Sequence, residues 1–130
     1  MAFDYSKKLL DHFFHPHNMG KIEHADGVGV VGNPNCGDVL KLYIKVKDNK
    51  ISDIKFETLG CAAAIGVSSV LTEMVKGKTI EEALKIKNDD IIKELGGVPQ
   101  VKVHCSVLGE QALKKAIEDW RSKQNLESSK

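Results

Sequence analysis

The sequence lacks an excess of charge of either sign: 19 basic side chains stand against 18 acidic ones, a net of +1. That balance supplies no broad field to hold nucleic acid or an anionic membrane, and lysines scattered along the chain read as a solvated surface. Long hydrophobic runs are also missing, for none approaches the roughly 20 apolar residues of a bilayer span. The opening Met1-Ala2-Phe3-Asp4-Tyr5-Ser6 has neither the charged start and apolar centre of a signal peptide nor an arginine-rich transit pattern. The chain is therefore expected to be cytoplasmic, with no nucleic acid and no membrane among its partners. Cysteine is scarce and odd in number, three in all. Without an export signal, an odd count fits poorly with a disulfide framework and leaves free thiols, metal ligands or nucleophiles. No two cysteines are separated by just a pair of residues, so the spacing is not that of a zinc finger or a ferredoxin.

What is present suits one ordinary soluble domain. With 130 residues, 42% hydrophobic and 28% charged, the chain can close a single core without staples, and a single domain over 1–130 is expected. Tyr5, Leu9, Leu10, Phe13 and Phe14 recur at helical spacing until His15-Pro16, predicting a first amphipathic helix whose aromatic stripe packs on the remainder. Residues 15–27, rich in Pro, Asn, Gly and His, predict an ordered loop or a mobile arm, and the two histidines of His15-Pro16-His17-Asn18 read as solvated rather than ligating. Val28, Val30 and Val31 lead to a turn. Leu40, Leu42, Ile44 and Val46 then alternate with polar residues, and Ile54 and Phe56 do so again after Asp48-Asn49-Lys50. This period of two predicts an antiparallel meander with one wet face.

From Cys61 onward the pattern becomes helical. A small-residue run from Ala62 to Met74, stopped by Gly77, predicts a central buried helix. Thr79 and Glu82 have the spacing of a capping box. Asn88 with Asp89 and Asp90 opens a further helix that Gly96-Gly97 ends. Residues 105–121 predict the last long helix, with Leu108, Ala112, Leu113, Ala116, Ile117 and Trp120 on its apolar side. The ends, 1–4 and 124–130, are expected to fray.

The chemistry sits at three places. Asn33-Pro34-Asn35-Cys36-Gly37-Asp38 brings a soft thiolate and a hard carboxylate into one turn, two residues apart, so that in an extended segment both leave the same face. Cys61 and Cys105 each lie where a loop gives way to a predicted helix, whose unpaired backbone N–H groups and dipole favour a thiolate. Taken singly, each cysteine could equally be plain core. Taken together with Asp38, they could surround one metal ion. A carboxylate in place of a fourth sulfur makes a soft-metal centre more labile, which suits cargo that must leave better than a permanent structural ion. His104, directly before Cys105, could replace Asp38, hydrogen-bond a sulfur, or move protons, although neighbours on a strand point to opposite faces.

Several of these motifs in register resemble one known family. Gly32-Asn33-Pro34-Asn35-Cys36-Gly37-Asp38, Gly60-Cys61-Ala62-Ala63-Ala64-Ile65, Thr72-Glu73-Met74-Val75-Lys76-Gly77-Lys78 and Val103-His104-Cys105-Ser106-Val107-Leu108 are similar to the IscU/NifU-type iron-sulfur cluster assembly scaffolds. The resemblance implies an α+β fold, a three-stranded antiparallel sheet packed against several α-helices, with the three cysteines at one exposed end. It implies a scaffold and carrier rather than an enzyme. Sulfur would come from an IscS/NifS-type cysteine desulfurase, and a [2Fe-2S] or [4Fe-4S] cluster would be held and passed to apo iron-sulfur proteins. Cys36, Cys61 and Cys105 would be ligands and sulfur acceptors, Asp38 would keep the cluster releasable, and His104 would be an alternative ligand. Zinc can occupy the same place, so a zinc-bound sulfurtransferase or persulfide carrier is the alternative function. Ferredoxin and a heat-shock chaperone are further partners that the resemblance implies. Two segments depart from the family pattern. Val98-Pro99-Gln100-Val101-Lys102 stands where a Leu-Pro-Pro-Val-Lys chaperone motif is usual, and His15-Pro16-His17-Asn18 where Asn-Pro-Arg-Asn is. The 43 residues between Cys61 and Cys105 leave no room for the insertion that marks the zinc-dependent SufU-like branch.

Overall fold

Three antiparallel strands in the order β1-β2-β3 make the sheet: β1 (Gly27–Asn33), β2 (Asp38–Lys47) and β3 (Lys50–Leu59). The computed structural model describes residues 7–33, 38–59, 62–96 and 103–128, with the backbone alone at 33, 38, 62–63, 103–106 and 124–128. The alternation read from the sequence is realised, since Leu40, Leu42 and Ile44 of β2 and Ile54 and Phe56 of β3 are buried on one face. The β2-β3 hairpin closes on Asp48 and Asn49, at φ 54° and 61°, between the paired Lys47 and Lys50. Two left-handed residues are what a tight hairpin needs for its twist to match that of the strands.

One irregularity shapes this hairpin. Lys45 pairs with Asp53 but Val46 pairs with Ile51, so Ser52 is the extra residue of a bulge. The bulge brings Ile51 and Ile54, three positions apart, to the same buried side. The Val46 N–H beside it donates to Asp26 Oδ2 at 2.8 Å. The other face is less wet than the alternation suggests, for Tyr43 is only 6% exposed. Its hydroxyl donates to Glu57 Oε1 at 2.7 Å, and Lys41 Nζ lies 5.2 Å from its ring centroid, so the stems of charged neighbours cover the ring.

Five helices complete the described residues: α1 (Lys7–Phe14), α2 (Ala62–Val75), α3 (Ile80–Leu84), α4 (Asn88–Glu94) and α5 (Val103–Ser128). The sheet, α2 and α5 share one core that also takes in Leu9, Ile80, Ile91 and Leu95. As expected, α2 is the central helix, buried at Val67, Ser68, Ser69, Val70, Leu71, Thr72 and Val75. It turns out through Gly77 at φ 86°, a left-handed position that glycine adopts without steric cost. Helix α3 begins on the predicted capping box: Thr79 Oγ1 accepts from the Glu82 N–H, and Glu82 Oε1 accepts from the Thr79 N–H, both at 3.1 Å.

Several expectations are corrected. The aromatic stripe of α1 is not its packing face, because Phe14 is 67% exposed and Leu9 is the fully buried residue. The chain preceding α1's Lys7 lies outside the described residues, Tyr5 included. Helix α4, by contrast, opens at Asn88 as expected, and the N–H of the preceding Lys87 donates to Asp90 Oδ2 at 2.9 Å. Helix α5 starts at Val103 rather than 105 and runs to Ser128, so the expected frayed tail is helical over 124–128. No proline or glycine interrupts the chain after Gly109, and Lys, Gln, Leu and Glu sustain a helix.

The loop before β1 is ordered. Phe56 donates its N–H to the Asn18 carbonyl at 3.0 Å, and the Gly20 N–H donates to the Phe56 carbonyl at 2.8 Å. Met19 is thereby bridged to the outer edge of β3.

Candidate metal centre

The described residues that flank Cys36 and Cys61 in the sequence lie at one end of the sheet. Asn33 and Asp38 are the last paired residues of β1 and β2, and they bracket the connection that carries Cys36. One position on, Val39 pairs with Leu59, the final residue of β3. The chain then passes through Gly60 and Cys61 to Ala62, the first residue of α2. Cys36 and Cys61 themselves lie outside the described residues, as does the whole 97–102 segment with its departure from the chaperone motif.

Two glycines fix where α5 starts relative to this end. A Cβ on Gly27 would lie 2.2 Å from the Ala116 carbonyl oxygen, and one on Gly29 would lie 2.2 Å from that of Ala112. Only bare backbone permits so close an approach. The pairing also shows that the helix runs antiparallel to the strand: two residues forward on β1, about 6.6 Å, match four residues back on α5, about 6 Å. The same ratio carried from Gly29 to Asn33 reaches about eight residues back from Ala112, in the first turn of α5. The first turn of α5, with the backbone of His104 and Cys105, is thus directed toward the sheet end of Asn33, Asp38 and Leu59. In that first turn the N–H groups have no intrahelical acceptor, a setting that favours anionic ligands and thiolates. The step from His104 to Cys105 is helical, so the opposite-face objection raised by a strand does not apply.

In residue type, the expected donor set of three cysteines, one aspartate and one histidine fits a soft metal or metal-sulfide guest. A surface groove of about 660 Å³ lies elsewhere, lined by α2 and α4 residues including Val70, Glu73, Met74, Asp90 and Lys93.

A second group of polar residues was missed by sequence reasoning. His12 on α1, His17 in the following loop and Glu73 on α2 have ligand atoms that all lie within 4.8 Å of one another. His17 Nδ1 is in direct contact with Glu73 Oε1, and His12 Nε2 is 3.9 Å from Glu73 Oε2. Ser69 Oγ lies 2.7 Å from His12 Nδ1 and accepts the His17 backbone N–H at 2.8 Å. Burial, and then the neighbouring His17, hold the His12 pKa below its ordinary value. His17 is exposed, as expected, while also touching Glu73. Nothing in the sequence signals the group, because Glu73 is far along the chain and only the α1-α2 crossing brings it near.

The fold defines a class: a small α+β domain with a three-stranded antiparallel sheet packed against helices. The chain belongs to the NifU-like N terminal domain family, which residues 4–127 match. It is 64% identical over 116 residues to the iron-sulfur cluster assembly scaffold protein IscU 1 of Archaeoglobus fulgidus, covering 89% of this chain and 76% of the relative. Against the scaffold protein IscU of Escherichia coli K12 the identity is 52% over 123 residues, 92% of this chain and 95% of the relative. A crystal structure from Fervidobacterium islandicum AW-1, described as a scaffold for the SUF system, superposes with a TM-score of 0.71 at 30% identity, covering 87% of this chain and 96% of that one. An N-terminal NifU-like structure from Brucella abortus shares the fold, with a TM-score of 0.70 at 24% identity over 90% of this chain and 94% of its own.

Proposed function

We propose that this chain is a scaffold on which iron-sulfur clusters are built and from which they are passed on. Sulfur from a cysteine desulfurase reaches one of Cys36, Cys61 and Cys105, iron joins it, and the nascent [2Fe-2S] or [4Fe-4S] cluster is held by those thiolates with Asp38 or His104 as the remaining ligand. Apo iron-sulfur proteins are the acceptors, ferredoxin is the source of electrons, and the cytoplasm is the compartment. No turnover of a small-molecule substrate is required of the chain.

The observation that most supports this reading is that Asn33, Asp38 and Leu59 meet at one sheet end, with α5 running antiparallel to β1 so that its first turn is directed toward that end. A cluster needs several thiolates within one coordination sphere, and these described residues flank or include every candidate ligand. The naming of the IscU relatives as cluster assembly scaffold proteins supports the same reading. Asp38 gives the reading its direction. A hard carboxylate among soft ligands binds a cluster less firmly than a fourth sulfur would, which suits a carrier.

The test is metal and sulfide analysis, with Mössbauer spectra, of protein isolated under strict anaerobiosis. The proposal expects iron and inorganic sulfide in comparable amounts, lost together to an apo-ferredoxin. Stoichiometric zinc that never exchanges for a cluster would instead favour a persulfide carrier.

A further inference from the structure

We propose that His12, His17 and Glu73 form a second metal site, a set of two imidazoles and one carboxylate for a divalent ion of the iron-to-zinc series, separate from the thiolate end. Separation follows from α2 itself. Glu73 lies eleven residues after Ala62, which places it roughly 16 Å along the helix axis from the end next to Cys61. The site therefore rests on none of the cysteines and does not depend on the scaffold reading.

The three ligand groups converge, with His12 set apart from the His17–Glu73 pair. His12 Nε2 and Glu73 Oε2 face each other at 3.9 Å, too far for a hydrogen bond. Two ligands bonded at about 2.0–2.1 Å to a tetrahedral ion stand roughly 3.3 Å apart, so the existing separation needs only a small adjustment to admit one. His17 and Glu73, now in contact, are both about half exposed and can part around an ion by side-chain rotation. The two imidazole rings lie with centroids 5.0 Å apart, tilted by 54°, so they converge on the carboxylate without stacking.

The surroundings prepare the ligands. His12 Nδ1 shares a hydrogen bond with Ser69 Oγ at 2.7 Å, the kind of outer-shell contact that orients a metal-bound imidazole and leaves Nε2 to the ion. The same Ser69 oxygen accepts the His17 N–H, and Asn18 Nδ2 donates to Thr72 Oγ1 at 3.0 Å. The loop bearing one ligand is thus fastened to the helix bearing another. A neutral imidazole is the form that binds metal. Two imidazoles and one carboxylate suit zinc or ferrous iron better than magnesium or calcium, and they leave a position open to water. An ion there ties α1, the 15–20 loop and α2 to one another.

Zinc is the probe that tests this. In the full chain carrying Cys36→Ser, Cys61→Ser and Cys105→Ser, competition against a chromophoric chelator is expected to show one bound zinc and an upward shift of Tm on binding. His17→Ala or Glu73→Gln added to that background abolishes both effects, and cobalt in the parent shows ligand-field bands without thiolate charge transfer. The proposal is overturned if the serine variant keeps the circular dichroism of the unaltered chain yet takes up no zinc, or if the added substitutions leave the uptake unchanged. Should the serine variant fail to fold, the unaltered chain supplies the readout. Its zinc content falls by one equivalent with His17→Ala if the site exists, and stays constant if it does not.

Discussion

Gly29 decides how near α5 can come to the sheet, and so where the first turn of that helix lies. A methyl group there would meet the Ala112 carbonyl oxygen at 2.2 Å and the Ala116 nitrogen at 2.6 Å, and neither backbone atom can turn aside. Gly29→Ala is therefore expected to destabilise the fold by about 1–3 kcal/mol through overpacking, measured by urea denaturation. Because the same contact sets the level of His104 and Cys105, the variant should also lose cluster-binding capacity under conditions where it remains folded. On the proposed function, Asp38 is the residue expected to govern release. Asp38→Ala is expected to retain a reconstituted cluster and to hand it to an apo-ferredoxin more slowly, followed by the transfer of visible absorption; faster loss contradicts the argument from ligand hardness.

Among the elements, α1 hangs on one side chain. Leu9 is fully buried and lies over Gly66 of α2, where a Cβ would come within 2.2 Å of its Cδ1. Leu9→Ala is expected to cost about 2–5 kcal/mol, read from the denaturation midpoint. The capping box of α3 gives a pH dependence of definite sign. Hydrogen bonds from Thr79 hold the Glu82 pKa below its ordinary 4.5, so the folded state binds this proton less readily than the unfolded chain. The contribution is present above pH 4.5 and is lost as pH falls through the lowered value. Glu82→Gln should accordingly lower Tm near neutrality, with the difference from the unaltered chain shrinking below pH 4.5. Elements of this kind were legible in the sequence because their signals are local: period-two alternation in β2, a Thr-x-x-Glu box and the small residues of α2. Where the reading strayed, a tertiary contact overrode it. Gly66 receives Leu9 and leaves Phe14 in water, and the bulge at Ser52 re-phases β3 without any signal in composition.

For the molecule as a whole, the order of the elements matters more than any one of them. An antiparallel sheet returns the chain to the same end at every second turn, so the β1-β2 connection and the end of β3 adjoin by topology. An antiparallel α5 then brings its N-terminus to that end. The residue types of the site could be recognised in the sequence, since thiols beside a carboxylate and at helix starts have few other uses together. Whether they meet could not be derived from spacing, because it depends on the direction of α5 along β1, which the close approach at Gly27 and Gly29 shows to be antiparallel. The His12, His17 and Glu73 group was illegible for the same reason, being made by the crossing of α1 over α2.

The most direct measurement is anaerobic reconstitution with ferrous iron, cysteine and a cysteine desulfurase, following thiolate-to-iron absorption in the unaltered chain and in Cys36→Ser, Cys61→Ser and Cys105→Ser. The account predicts an absorption band that forms on the unaltered chain, passes to an apo-ferredoxin, and is lost or strongly weakened in each variant. A band of undiminished intensity in all three variants would contradict it.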